Sequence, residues 1–138
     1  MIILSCDHAG FDYKNKIKNY LIKLNYEVSD MGPTKYESDD DYPDFVHPAC
    51  KKMSDKDIGI FVCGSGIGAN VVANRYHHIR AVNAVNTEMA RLARKDEDAN
   101  VLCLGARLIS YQCALNIIKT FLKSRFEGGR HVRRINKI

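Results

Sequence analysis

Short apolar runs alternate with stretches of helical periodicity along the whole chain. Runs of strand length predict five strands, at residues 2–5, 26–29, 58–62, 81–85 and 101–104. Between them, apolar positions three and four residues apart predict helices at residues 11–24, 45–53, 69–74, 87–95 and 110–122. Because strands that alternate with helices form parallel sheets covered on both faces, we expect an α/β fold. We expect it to be a doubly wound, Rossmann-like, three-layer sandwich around a five-stranded parallel sheet, with a C-terminal helix and a basic tail.

Length and composition exclude several classes of protein. The 138 residues fit one domain, 1–138, of ordinary size. No apolar run is long enough to span a membrane, and the first residues lack the basic segment of a signal peptide, so we expect a cytoplasmic protein with no membrane partner. The five cysteines form no CxxC pair, which argues against a disulfide framework or a thiolate zinc site, and we expect no bound metal.

All of the excess positive charge lies at the end of the chain. The formal net charge is +5, and the last sixteen residues account for it, so an anion should bind there. If this segment is helical, Arg130 and Arg134 share one face and could grip one phosphate. On another side of that helix we expect a packing stripe of three apolar residues, Val132, Ile135 and Ile138. The alternatives are a solvated tail or a nucleic-acid surface, but no aromatic residues interleave with the arginines, so we expect no nucleic-acid partner.

A glycine-rich turn, residues 63–68 (Cys-Gly-Ser-Gly-Ile-Gly), follows the most apolar strand. Doubly wound sheets bind ligands at the carboxyl ends of their strands, where this turn lies. Its alternate glycines let backbone N–H groups form a cradle for negative charge, although a tight strand-to-helix turn would need the same glycines. Beside these amides the pKa of Cys63 could be lowered, which would make its thiolate a base or nucleophile; a buried strand-end cysteine is the equally open alternative. Ser65 adds a hydroxyl to the turn.

Asp7 and His8 leave the first strand at the same edge of the sheet. An aspartate beside a histidine can orient the imidazole or contact sugar hydroxyls, and the histidine suits phosphate binding or proton transfer. The plain alternative is a helix N-cap followed by a surface histidine. The residues alone therefore predict an anion site at the carboxyl edge and leave its chemistry open.

Taken together, these segments resemble the ribose-5-phosphate isomerase B family, which is similar to galactose-6-phosphate isomerase subunits and allose-6-phosphate isomerases. The resemblance covers almost the whole chain and rests on residues 6–11, 41–43, 63–69, 73–74, 79–81, 100–101, 105–107 and 127–134. It implies an aldose–ketose isomerase that interconverts D-ribose 5-phosphate and D-ribulose 5-phosphate in the pentose phosphate pathway, without metal or coenzyme. A proton would move between C1 and C2 through a cis-enediolate. A homodimer or homotetramer with sites built from two subunits is also implied.

The resemblance assigns roles to residues of this sequence. Cys63 would be the base that moves the proton, because the glutamate that another branch uses after the glycines is replaced here by Ala69. The Ser65 hydroxyl, a second catalytic group, would hold the enediolate together with the backbone amides of the turn, from Gly64, Ser65, Gly66, Ile67 and Gly68. The sugar and its phosphate would be contacted by side chains from several segments: Asp7, His8, Tyr42, Arg107, Arg130 and Arg134.

The sequence departs from the family just before the fifth strand. The family usually has His-Asn there, the histidine helping to open the furanose ring and the asparagine joining the anion hole, whereas this chain has Asp96 and Glu97. We expect Asp96 to be catalytic, although an aspartic acid with a pKa of about 3.9 is a poor acid at neutral pH unless burial raises that pKa. Glu97 falls at a substrate-binding position, where its charge would repel the enediolate. The alternatives are a non-catalytic module that binds a phospho-sugar or nucleotide, and an isomerase of a six-carbon sugar phosphate.

Overall fold

A five-stranded parallel sheet forms the centre of the molecule. The computed structural model describes residues 1–138, and its strands are β1 (Ile2–Cys6), β2 (Val28–Asp30), β3 (Ile58–Cys63), β4 (Ala81–Asn83) and β5 (Val101–Gly105). All neighbouring strands are parallel, in the order β2-β1-β3-β5-β4. The direction of winding reverses between β1 and β3, which is where doubly wound sheets bind their ligands. The predicted α/β, Rossmann-like fold class is confirmed.

Six helices cover the sheet: α1 (Phe11–Lys23), α2 (Tyr42–Lys52), α3 (Ile67–Ala73), α4 (Thr87–Glu97), α5 (Tyr111–Lys123) and α6 (Arg130–Ile135). Side chains alternate between the two faces of the sheet, and both faces are buried. On one face, Leu4 and its neighbours pack against α1, α4 and α5. On the other face, Phe61 and Cys63 pack against α2 and α3. Because both of their faces are buried, the central strands β1, β3 and β5 form nearly continuous apolar runs, and the sequence pattern locates them well. The edge strands β2 and β4 are only half-buried.

The ends of the elements differ from the prediction by one to three residues, and three of these differences are instructive. α2 begins at Tyr42 rather than at residue 45, with Pro43 in its first turn, where the missing N–H of a proline costs little. α4 continues to Glu97 rather than to residue 95, and Asp98 ends it in a left-handed conformation, φ 45°. β4 ends at Asn83 rather than at residue 85, because it is an edge strand that pairs with β5 alone.

The C-terminal helix α6 is short and packs against α4. The predicted packing stripe is wrong for two of its three residues: Val132 and Ile138 are exposed, Ile135 is half-buried, and the buried residue of this helix is His131. The reason is that His131, rather than an apolar residue, faces the end of α4, where it lies 3.7 Å from Asp96. Crossing a bilayer would need a longer and more apolar helix than any of the six.

Candidate active site

The glycine-rich turn curls around the thiol of Cys63. Cys63 is the last residue of β3 and is only 4% exposed. The backbone N–H of Gly66 donates a hydrogen bond to its Sγ at 3.1 Å, and the N–H of Ile67 donates to Ser65 Oγ at 3.2 Å. Gly66 has a left-handed backbone, φ 78°, which favours glycine. An amide of the turn would therefore stabilise negative charge on the sulfur.

Three amides of this turn make no hydrogen bond inside the chain: the backbone N–H groups of Gly64, Ser65 and Gly68. Those of Gly64 and Ser65 directly follow Cys63, and both residues are half-buried. Half-buried and buried N–H groups are usually paired, so two free donors beside a thiol can receive an oxygen of a ligand. The turn is therefore able to hold a negatively charged oxygen next to the sulfur.

The segment that follows β5 places Arg107 against the turn. The backbone N–H of Arg107 donates to the carbonyl of Gly64 at 3.0 Å, and that of Ala106 donates to the carbonyl of Cys63 at 2.9 Å. A methyl group built on Gly64 would lie 3.2 Å from Arg107 Nη1, so the guanidinium lies over this glycine. The Arg107 guanidinium, a group that binds phosphate well, thus lies near the Cys63 thiol of the same chain.

Tyr42 lies over the other end of the turn. A methyl group built on Gly68 would lie 2.7 Å from Cζ of Tyr42, so the ring rests directly on the backbone of this glycine. Tyr42 is the first residue of α2 and remains partly exposed. Its ring therefore forms a wall beside the helix start that follows the turn.

Asp7 and His8 lie beside the same turn. The short 3-10 turn that they open, His8–Gly10, packs onto the end of β3, because any side chain at Gly10 would overlap the carbonyl of Val62. Asp7 is buried and accepts a hydrogen bond from the N–H of Gly10 at 3.1 Å. Burial raises the pKa of the Asp7 carboxyl. Asp7 therefore caps its own turn, as the plain alternative predicted, at the same edge of the sheet as the predicted site.

Asp40 fixes His8, and sequence reasoning missed this residue. Nδ1 of His8 lies 2.7 Å from Asp40 Oδ1, and the backbone N–H of His8 donates to the same oxygen at 2.9 Å. The hydrogen bond to Asp40 raises the pKa of His8 and favours the imidazolium, the form that attracts a phosphate. The one available signal is a run of three aspartates, residues 39–41, which resembles an ordinary solvated loop.

Asn83 is a second residue that sequence reasoning missed. Its Nδ2 donates to the carbonyl of Ser65 at 3.2 Å, and its Oδ1 is buried without a partner. Because it ends β4, two strands away from β3, no local pattern links it to the glycine-rich turn. Asn83 therefore braces the turn at Ser65.

Four of the predicted site residues lie at the opposite edge of the sheet: Asp96, Glu97, Arg130 and Arg134. The two acids end α4 just before the start of β5, whereas Cys63 pairs with Gly105 at the end of β5. A parallel strand rises about 3.3 Å per residue, so the two ends of β5 are about 13 Å apart. The two arginines are on α6, which packs against α4. Within one chain the structure does not bring these four residues to the thiol.

At that edge, Asp96 faces a buried histidine. His131 Nε2 lies 3.7 Å from Asp96 Oδ1, and with Glu127 these residues form a set of possible metal ligands within 4.8 Å of one another. However, Lys95 pairs with Glu127 at 3.0 Å, and Nδ1 of His131 lacks the partner that usually orients a metal-binding histidine. These side chains therefore form an ion-pair cluster and do not fit a metal site well.

A cavity of about 580 Å³ lies beside this cluster. Asp96 and Glu97 line it together with apolar side chains that include Met89, Leu92 and Ile138. No residue of the glycine-rich turn lines it. The two edges of the sheet therefore present two separate surfaces, one with the thiol and one with the acids and the tail.

The fold and the turn define an α/β protein with unpaired backbone donors that can hold a negatively charged ligand at the carboxyl edge of a parallel sheet. Comparison with known families goes further. The family described as Ribose/Galactose Isomerase matches residues 2–138, and the chain belongs to this family. The resemblance noted in the sequence is confirmed.

Individual relatives agree with the family. The chain is 43% identical over 140 residues to a probable ribose-5-phosphate isomerase B of Mycoplasma genitalium, covering 99% of this chain and 92% of the relative. It is 34% identical to ribose-5-phosphate isomerase B of Escherichia coli, covering 99% and 93%. The crystal structure of the M. genitalium protein with bound ribulose-5-phosphate has a TM-score of 0.96 at 41% identity, covering 99% and 91%. The structure of ribose 5-phosphate isomerase B from Anaplasma phagocytophilum has a TM-score of 0.95 at 42% identity, covering 99% of this chain and 94% of that chain.

Proposed function

We propose that residues 1–138 form one sugar-phosphate isomerase domain that interconverts D-ribose 5-phosphate and D-ribulose 5-phosphate. The observation that carries this proposal is the Cys63 thiol, held by the Gly66 N–H at 3.1 Å beside two unpaired amides. The family match supports it, and so does the similar M. genitalium structure that holds ribulose-5-phosphate. A cytoplasmic location is part of the proposal, since five free cysteines are typical of a reducing compartment.

The reaction moves one proton between two neighbouring carbons. In the open-chain aldose, the thiolate of Cys63 removes the proton from C2, and the electron pair moves onto the C1 carbonyl oxygen to give a cis-enediolate. A proton then passes from O2 to O1. The thiol returns a proton to C1, and the carbonyl forms at C2. No electrons leave the sugar, so the ketose is produced without an external oxidant or reductant.

The turn stabilises the charge that develops in this reaction. The free amides of Gly64 and Ser65 and the Ser65 hydroxyl donate to the enediolate oxygens, and a single donor of this kind contributes about 10²–10³ to kcat. At the phosphate end, Arg107 and the imidazolium of His8 supply positive charge. Asp7 contacts the sugar hydroxyls.

We further propose that the protein acts as a homodimer, or as a homotetramer of such dimers, in which a second copy supplies Arg130 and Arg134. These arginines lie at the opposite edge of the sheet from the thiol, and a two-fold axis can bring one edge of each subunit to the other edge of its partner. Apolar side chains are exposed on α3 and α4, where such contact would bury them: Ile67, Val71, Met89 and Leu92.

The direct test is an assay of the purified full-length protein on ribose 5-phosphate, allose 6-phosphate and galactose 6-phosphate. We expect the highest kcat/KM on ribose 5-phosphate, and Cys63→Ala should lower kcat by about 10²–10⁴ without loss of the fold. The matched control is Cys113→Ala, at a half-exposed cysteine outside the turn, which should keep full activity. Normal turnover by Cys63→Ala contradicts the base assignment. Tight sugar-phosphate binding without turnover by the wild type supports the non-catalytic alternative.

The shared site is tested by mixing two inactive variants. Cys63→Ala and Arg134→Ala each damage one half of the proposed site, so each homodimer is inactive. After unfolding and refolding together, half of the dimers are mixed, and each mixed dimer contains one intact site. We expect about a quarter of the wild-type activity to return. If the refolded mixture is no more active than its components, the second copy does not supply Arg134.

A further inference from the structure

One peptide unit of the glycine-rich turn is held at both of its polar groups. It is the unit between Ser65 and Gly66: its N–H donates to Cys63 Sγ at 3.1 Å, and its carbonyl accepts from Asn83 Nδ2 at 3.2 Å. The peptide bond is planar and trans, so the N–H and the carbonyl point in opposite directions and rotate together. A contact that fixes the carbonyl of Ser65 therefore also aims the N–H of Gly66 at the sulfur.

We propose that Asn83 is a positioning residue that stabilises the Cys63 thiolate through this peptide unit; this inference rests on the proposed function, in which that thiolate is the base. No backbone N–H donates to the carbonyl of Ser65, so Asn83 supplies its one hydrogen bond within the chain. A methyl group built on Gly105 would lie 2.6 Å from this carbonyl oxygen, which therefore rests directly on β5. The contacts with Asn83 and with β5 together fix the plane of the peptide unit.

The side-chain amide of Asn83 has one orientation that makes this contact. Reversal of the amide would face Oδ1 toward the Ser65 carbonyl, where two acceptors would repel each other. In the observed orientation Oδ1 is buried without a partner, beside the backbone of Gly66. A buried acceptor without a donor is costly, and an apolar side chain at this position of the edge strand β4 would avoid that cost. An apolar side chain would not, however, provide the donor that holds the turn.

The titratable side chains around the turn come from neighbouring strand ends, from α2 and from the segment after β5: Asp7, His8, Tyr42, Cys103 and Arg107. Burial raises the pKa of Cys103 well above its ordinary value, so this second thiol stays neutral. Helix α3, which begins at Ile67, has no titratable side chain. Replacement of Asn83 by an uncharged residue removes none of these groups, so a change in the titration of Cys63 would report the Gly66 amide.

Ionisation of Cys63 can be measured without any substrate. A thiolate absorbs more ultraviolet light than a thiol, and the difference between each protein and its Cys63→Ala counterpart isolates this residue in a pH titration. We expect Asn83→Leu, which keeps the shape of the side chain and removes its donor, to raise the titration midpoint by about one pH unit. The matched control is Asn74→Leu. Asn74 holds the start of the same strand through two hydrogen bonds with Ala81, at 2.9 and 3.0 Å, so its loss weakens β4 but should leave the midpoint unchanged.

The same change has a kinetic signature. Below both midpoints, a shift of about one unit leaves about a tenth as much thiolate, so kcat of Asn83→Leu on ribose 5-phosphate should fall about tenfold. Activity should recover as pH rises through the new midpoint, with KM little changed. A purely structural role for Asn83 would instead lower activity equally at every pH.

An unchanged midpoint in Asn83→Leu, or the same shift in Asn74→Leu, overturns the positioning role, and so does a loss of kcat that higher pH does not recover. If Asn83→Leu does not fold, Asn83→Ala decides by the same titration. A wild-type protein that isomerises no sugar phosphate overturns the proposed function instead. The titration midpoint, which needs no turnover, then still decides whether Asn83 acts on the thiol.

Discussion

Replacement of Gly66 by alanine probes the geometry that the thiol site requires. Gly66 has φ 78° and donates its N–H to Cys63 Sγ at 3.1 Å. A methyl group at this position would lie 2.5 Å from Asn83 Oδ1 and 2.9 Å from the carbonyl carbon of Leu104, whereas ordinary contacts begin at 3.4 Å. The Asn83 amide can rotate away, but the backbone of Leu104 cannot. The turn itself therefore has to shift.

Two costs add up in Gly66→Ala. A left-handed backbone costs a non-glycine residue about 1–2 kcal/mol. Movement of Asn83 breaks its 3.2 Å hydrogen bond to the carbonyl of Ser65, which contributes about 1 kcal/mol. We therefore expect the free energy of unfolding to fall by about 2–3 kcal/mol, which lowers the urea midpoint by about 1 M. Because the shifted Gly66 N–H no longer donates a hydrogen bond to Cys63 Sγ, kcat should fall about tenfold or more. This corresponds to an increase of about 1.4 kcal/mol or more in the activation free energy.

Gly128→Ala is the matched control for the backbone cost. Gly128 has a similar φ of 70°, but a methyl group there meets no atom within 4 Å. Only the conformational cost remains, so the urea midpoint should fall about half as far as in Gly66→Ala. Both variants are unfolded at one protein concentration, because assembly contributes to apparent stability. Equal midpoints for the two variants would refute the claim that Asn83 and Leu104 confine the turn.

Two further substitutions test charged contacts. Asp30→Asn removes the charged partner that lies 2.9 Å from the buried Lys14 ammonium, and it should lower the free energy of unfolding by about 2–3 kcal/mol. Lys18→Ala removes the exposed partner of the same carboxylate and should lower it by less than about 1 kcal/mol. Equal losses for the two variants in urea unfolding would contradict this difference. Asp40 raises the pKa of His8, so the imidazolium persists to higher pH and is lost as pH rises through the raised pKa. In Asp40→Asn the rise of KM with pH should therefore begin at lower pH. If the variant and the wild type have the same KM profile against pH, Asp40 does not control the protonation of His8.

Most elements of this fold were predictable because the central strands β1, β3 and β5 are buried on both faces. Such strands form short, nearly continuous apolar runs, and amphipathic helices separate them. The strand order was not predictable. The apolar runs of β4 and β5 carry no information about which of them pairs with β3, and the structure places β5 there. Strand pairing also determines where β4 ends, because an edge strand forms backbone hydrogen bonds with one neighbouring strand only.

The glycine-rich turn was predictable as a unit because its sulfur, hydroxyl and amides come from consecutive residues. Contacts between distant segments were not. Asp40 lies 32 residues from His8 and is flanked by two more aspartates that look the same in sequence. The contact between His131 and Asp96 could not be predicted either. Hydrophobic periodicity assigns apolar residues to the buried side of a short helix and takes no account of a carboxylate on another helix.

The separation of the predicted site residues is itself an argument about assembly. A parallel sheet directs all its strand ends to one edge and all its strand starts to the other, so consecutive β–α units distribute polar residues over two distant surfaces. Strand length keeps these surfaces about 13 Å apart, and no loop movement can fold one edge onto the other. A second copy related by a two-fold axis would bring the thiol edge of one subunit to the arginine edge of its partner, and the symmetry would repeat that contact at a second site. This geometry supports a subunit that contributes one half to each of two sites.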